Sequence, residues 1–236
     1  MKLFELLLEG YIKPSPDMVK FADDIAKTAE WLISNKDHED YRKQFKLARK
    51  NNEGRVLGKI TKHIDSGKYG NREITVKFVT WPRTKKAAWA ENRKFNEDGK
   101  LYEFAIVVDS STQQSIQHNA IHEMIHLFDP KLQKDKIDVG KHARKNQREI
   151  LKSGDFRKYV LQPHELDAII PTVARDLVDY LVKEEGHVEG ARIALKNLDI
   201  DMLPYKLKVM IEPIKTRKAP WRKFINTVYD MLHDGA

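Results

Sequence analysis

From Asp17 to Ile33 the apolar residues Met18, Phe21, Ala22, Ile25, Ala29, Leu32 and Ile33 recur with a helical period. A second helix is predicted over 38–50 and a third over 54–65, where "DSGKYGN" breaks the pattern. Ahead of them, residues 3–8 read as a short amphipathic helix ended by Gly10 and the "KPSP" turn. Near residue 70 the period changes to two. "EITVKFVTW" (73–81) alternates Ile74, Val76 and Phe78 with Thr75, Lys77 and Val79, and reads as a strand ended by Pro82. "KAAWAENRKF" (86–95) reads as a second, more polar strand, "NEDGK" (96–100) as a turn, and the apolar "LYEFAIVVD" (101–109) as a third, central strand. The expected sheet is small, antiparallel or mixed, with hairpin-length connections.

The period then returns to a helical one. Ser111 with Gln114 fits a capping box, so a helix is predicted from about Thr112, carrying Ile116, Ala120, Ile121, Met124, Ile125 and Phe128 on its apolar face and ending at Pro130. Residues 131–158 are basic and weakly patterned. Pro163 opens a further helix, "PHELDAIIPTVARDLVDYLVKE", with Pro171 a candidate kink. Two or three more helices fill the C-terminal part. The last carries Trp221, Phe224, Ile225, Val228 and Leu232 on one face, a stripe expected in the core. The predicted class is α+β, with a helical N-terminal extension over 1–70 and a second domain over 71–236 that ends in helices.

Composition narrows the chemistry. The chain of 236 residues contains no cysteine, which excludes disulfides, thiolate nucleophiles and cysteine-held zinc, so a metal must be held by His, Asp or Glu. No apolar run approaches the ~20 residues that span a bilayer. "MKLFELLLEG" carries Glu5 and Glu9 and lacks the features of a signal peptide, so a cytoplasmic location is expected and no membrane partner. The formal charge is +8, concentrated in "YRKQFKLARKNNEGRVLGKITKH", "KLQKDKIDVGKHARKNQREILK" and "YKLKVMIEPIKTRKAPWRK". These runs can serve as solvated faces, or can steer the protein to nucleic acid or another acidic partner.

The chemistry concentrates in "SIQHNAIHEMIHLFDP" (115–130). His122 and His126 are one helical turn apart, ~6 Å along the axis, so both imidazoles can meet one ion. Glu123 lies beside that face, placed to act on water rather than on the metal. His118 is a second turn upstream and cannot share a tetrahedral site with His126. The pair His118–His122 encloses Asn119 instead of a carboxylate, so His118 is read as a polar residue outside the ligand set. Catalytic zinc usually takes three protein ligands. Leu132 stands where a third, metzincin-type histidine would fall, and His142 lies in a basic loop. Glu165 and Glu149 are the carboxylate candidates. Glu165 is preferred because it sits in the first turn of the Pro163 helix.

This order of elements, strands, an H-E-x-x-H helix and a later helix bearing glutamate, resembles the zincin metallopeptidases, the gluzincin branch in particular. The P-x-E-x-x-A context of Glu165 and the opening "MKLFELLLEG" look like those of small metallopeptidases of tailed bacteriophages. The resemblance covers about 73–182 and implies a zincin-like fold. It also implies a Zn2+ ion on His122, His126 and Glu165, with water activated by the metal attacking a polypeptide substrate while Glu123 acts as general base. It further implies that residues 86–91 form an edge strand that pairs with the substrate, and a host-cytoplasmic or virion-associated location. The chain departs from the thermolysin-type N-E-x-x-S-D, since position 169 is Ile169. Asp129 and Asp167 are then the candidates to accept the ligand histidines' other N–H, and His164, Tyr159 and Tyr205 are candidate oxyanion donors. The alternative is a non-catalytic phage structural or nucleic-acid-associated protein on the same fold.

Overall fold

The computed structural model describes residues 12, 14–84, 88–90, 95–96, 99–100, 102–109, 115–128 and 156–234. It is an α+β protein whose contacts divide it into two compact units, Pro14–Pro130 and Lys131–Ala236 together with Met1–Lys13. The expectations for 3–8, 86–87, Ser111, Gln114, Pro130 and 131–155 lie outside the described residues.

The first unit opens with α1 (Pro16–Ser34) and α2 (Glu39–Asn51). Ser15 caps α1 by accepting from the Met18 amide at 3.2 Å, and Pro16 occupies a first-turn position that needs no donor. The periodic residues Met18, Phe21, Ala22, Ile25, Ala29 and Leu32 are all buried. The stretch expected as a third helix is instead strand β1 (Arg55–Asp65). Val56, Ile60 and Ile64 recur every four residues, a spacing that is one helical turn and also two strand repeats. The partner decides between them. β1 pairs antiparallel with β2 (Asn71–Thr80) from Arg55↔Thr80 to Asp65↔Asn71, and the Thr61 and Thr75 hydroxyls meet across the ladder at 2.9 Å. Between the strands Gly67 and Gly70 take φ of 65° and 82°, which only glycine adopts without strain.

The remaining strands are β3 (Ala88–Ala90), the two-strand hairpin β4 (Phe95–Asn96) with β5 (Gly99–Lys100), and β6 (Tyr102–Val107). The main sheet has the order β1-β2-β6-β3. β6 is central, as its apolar run predicts, with Phe104, Ala105, Ile106 and Val107 buried. Of the antiparallel and mixed sheets expected, the mixed one forms: β6 runs antiparallel to β3 but parallel to β2. β3 lies between them in sequence yet takes the outer position, and β6 fills the gap it leaves beside β2. An ion pair between Lys77 and Glu103 joins β2 to β6. Asp109, just past β6, accepts from the Thr80 hydroxyl and the Trp81 amide, each at 2.7 Å. The last element of this unit is α3 (Ile116–Phe128), which packs against α1, β3 and β6.

Among its described residues the second unit is helical: α4 (Phe156–Val160), α5 (Pro163–Glu185), α6 (Val188–Lys196), α7 (Tyr205–Lys215) and α8 (Lys218–Asp234). α5 runs on through Pro171 to a C-cap at Gly186, whose φ of 74° ends the helix. It packs against α6 and α8. The core includes Ile169, Val173, Leu177, Ile211 and Ile214, with Phe224, Val228 and Leu232 from the α8 stripe, while Trp221 and Ile225 pack at its margin. Among the described residues no helix is long and apolar enough to cross a membrane.

Candidate metal centre

The metal-ligand spacing lies on α3. The Ser115 hydroxyl accepts from the His118 amide at 3.0 Å, so Ser115 caps the helix. The helix is buried on nearly every side. Asn119, Ala120, Ile121, Glu123, Met124, Ile125, Leu127 and Phe128 are all buried. His122 and His126 are only half-buried, as are Ile116 and Gln117 in the first turn. Their Nε2 atoms are 3.0 Å apart and the rings are edge-to-face, 4.5 Å between centroids. His118, buried at 6 % exposure, does not join them in the ligand cluster.

The far end of the helix is held by a residue that motif reading passes over. Arg72, on β2, donates from Nη1 to the Leu127 carbonyl. Its guanidinium carbon lies 4.4 Å from the centre of the Tyr102 ring and 4.8 Å from that of Phe128. A cation at this point matches the negative end of the helix dipole. Burial lowers the Arg72 pKa from its ordinary value, with the Tyr102 charge opposing. The sequence signal was thin: a basic residue opening a strand is usually a solvated one.

Glu165 is buried at 4 % exposure in the first turn of α5. Two nitrogens bound to one tetrahedral zinc at 2.0–2.1 Å are ~3.3 Å apart. The 3.0 Å between the imidazoles fits that geometry, and two imidazoles with one carboxylate is a donor set zinc accepts. The Tyr159 hydroxyl donates to Glu165 Oε2 at 2.9 Å. Tyr159 therefore touches the third candidate ligand itself, fixing which carboxylate oxygen is occupied.

The other sequence candidates fall out differently. Asp167 accepts from Lys223 Nζ at 2.7 Å and so joins α5 to α8. Tyr205 is 82 % exposed. Asp129, His142 and Glu149, and the side chain of His164, lie outside the described residues. Glu123 is buried at 9 % exposure beside His122. β3, which carries Ala88, Trp89 and Ala90 of the expected edge strand, is an outer strand of the sheet and packs against α3.

Comparison of the sequence with models of known protein families, with curated proteins and with solved structures finds no match.

Proposed function

We propose that this protein is a zincin-like, zinc-dependent metallopeptidase, with His122, His126 and Glu165 as the ligands and Glu123 as the general base. One observation carries the reading: two half-buried histidines one turn apart on α3 with their Nε2 atoms 3.0 Å apart, and the buried Glu123 beside them. Zinc held there supplies a Lewis acid that polarises a carbonyl and makes water nucleophilic near neutral pH. The Glu123 carboxylate accepts a proton from the attacking water and returns it to the leaving amine nitrogen, which needs a charge close to the ligands but outside their set. The Tyr159 hydroxyl keeps the Glu165 carboxylate in one orientation. The outer strand β3 beside α3 offers backbone groups to an extended polypeptide.

The test is metal analysis of the purified protein, combined with digestion of casein and a peptide library. Wild type should carry one zinc per chain and cleave. Glu123→Gln should keep the zinc and lose cleavage by at least about a hundredfold, the scale of one general base. Equal cleavage by the two proteins sinks the mechanism. Zinc retained by wild type without cleavage of any peptide favours the non-catalytic alternative. Absence of stoichiometric zinc, with His126→Ala leaving stability unchanged, sinks the site.

A further inference from the structure

α3 ends at Phe128, so the carbonyls of its last turn have no donor within the helix. His126 stands in that turn, two residues from the end, whereas His122 lies inside the helix. Helix ends open locally at little cost in free energy. Leu127 and Phe128 are buried, which holds their side chains in the core but supplies no donor to the carbonyls. Arg72 supplies one, from Nη1 to the Leu127 carbonyl. It does so from β2, a strand paired with β1 on one side and β6 on the other. Its guanidinium lies over the Tyr102 ring of β6 and over the Phe128 ring of the same last turn. Arg72 therefore touches that turn twice, and all of these residues belong to the unit Pro14–Pro130.

Matching the helix dipole does not by itself call for this arrangement. An exposed Lys or Arg near the last turn would do so without losing its water, whereas burial strips water from the Arg72 guanidinium and lowers its pKa. What the buried arrangement adds is a fixed direction, since a planar fork stacked on rings can aim its bond only one way. Metal ligands need that precision: they must be held to within about 0.5 Å of the binding geometry. Unwinding the helix by one residue shifts the backbone by ~1.5 Å or more, which is enough to separate the His126 Nε2 from that of His122, now 3.0 Å away. We propose that Arg72 is a positioning residue for the metal centre: its bond to the Leu127 carbonyl holds the last turn of α3 so that His126 stays aligned with His122. This rests on the proposed function only in taking the two histidines as ligands.

The experiment measures zinc affinity of the full-length protein by chelator competition, and the electronic spectrum after loading with Co2+, at a temperature where each variant is folded. Arg72→Met should bind zinc about tenfold more weakly or worse, the scale seen when a group that orients a ligand is removed. Its cobalt spectrum should change, and the amides of the last turn of α3 should exchange with solvent faster than in wild type. Arg72→Lys keeps a cationic donor without the fork, so its affinity should fall between the two; it carries the comparison if Arg72→Met does not fold. Thr80→Val is the control for general destabilisation. It deletes the Thr80–Asp109 hydrogen bond in the same unit, at the other end of β2 from Arg72, and should leave zinc affinity unchanged. Zinc affinity and a cobalt spectrum unchanged in every folded Arg72 variant overturn the proposal, and so does an equal loss of affinity in Thr80→Val. The wild-type measurement separates the two levels of failure: wild type without zinc sinks the metal reading and this proposal with it, whereas zinc held equally by wild type and the Arg72 variants sinks the proposal alone.

Discussion

Arg72 and Tyr159 show how side chains away from the ligand spacing define a site. Arg72 gives the C-terminal end of α3 a charge-assisted hydrogen bond and two aromatic contacts. Arg72→Met keeps much of the apolar contact and removes the bond, so urea unfolding should show a loss of about 2 kcal/mol, the scale of a hydrogen bond from a charged donor. Tyr159→Phe removes only the hydroxyl that holds Glu165. Its stability should be near wild type, while zinc affinity, measured by competition with a chelator, should fall about tenfold to a hundredfold. Unchanged affinity would show that the hydroxyl does not orient a ligand. His118 sharpens the point from the other side. It shares the regular four-residue spacing of the histidines, yet one more turn of helix puts it beyond the cluster.

At the scale of elements, the local signals succeed wherever one face of a helix is enough. α1, α5 and α8 follow their apolar stripes to within a few residues, because their periodicity is unambiguous. α6 depends on a cap that is less obvious in sequence. The His187 ring accepts from the Gly190 amide at 2.7 Å, and a Cβ at Gly190 would lie 2.6 Å from that ring. His187→Ala should cost about 1 kcal/mol. Gly190→Ala should be destabilising with His187 present and less so without it, because the added Cβ would still lie 2.9 Å from the Glu185 Cβ. A thermal-melt double-mutant cycle would show this partial relief. The Asp201–Lys208 pair beside α7 makes a useful contrast. The hydrogen bond and charge of Lys208 lower the Asp201 pKa, so its stabilisation is present at neutral pH and lost as pH falls through the folded-state value. The pair lies at the surface, with Asp201 79 % and Lys208 32 % exposed, so solvent screens it and Asp201→Asn should leave the Tm at neutral pH unchanged within error.

At the scale of the whole molecule, a ligand that binds only the native state stabilises it by mass action. Zinc at a thousandfold over its Kd should add about 4 kcal/mol, and EDTA should remove it. His126→Ala should abolish the zinc-dependent rise in Tm, and a rise of equal size in that variant would locate the metal elsewhere. What could be read from the chain alone divides by range. The pairing of His122 with His126 and the position of Glu123 beside them are properties of an isolated helix, since one turn brings i and i+4 together. The α+β class and the central place of β6 were equally legible, from period and apolar content. Tertiary structure decided the rest. Val56, Ile60 and Ile64 suit a helix or a strand, and only pairing with β2 makes β1 a strand. The parallel register of β2 and β6 depends on β3 moving to the edge. That Tyr159 holds Glu165 while Asp167 turns to Lys223 depends on contacts that no local periodicity encodes.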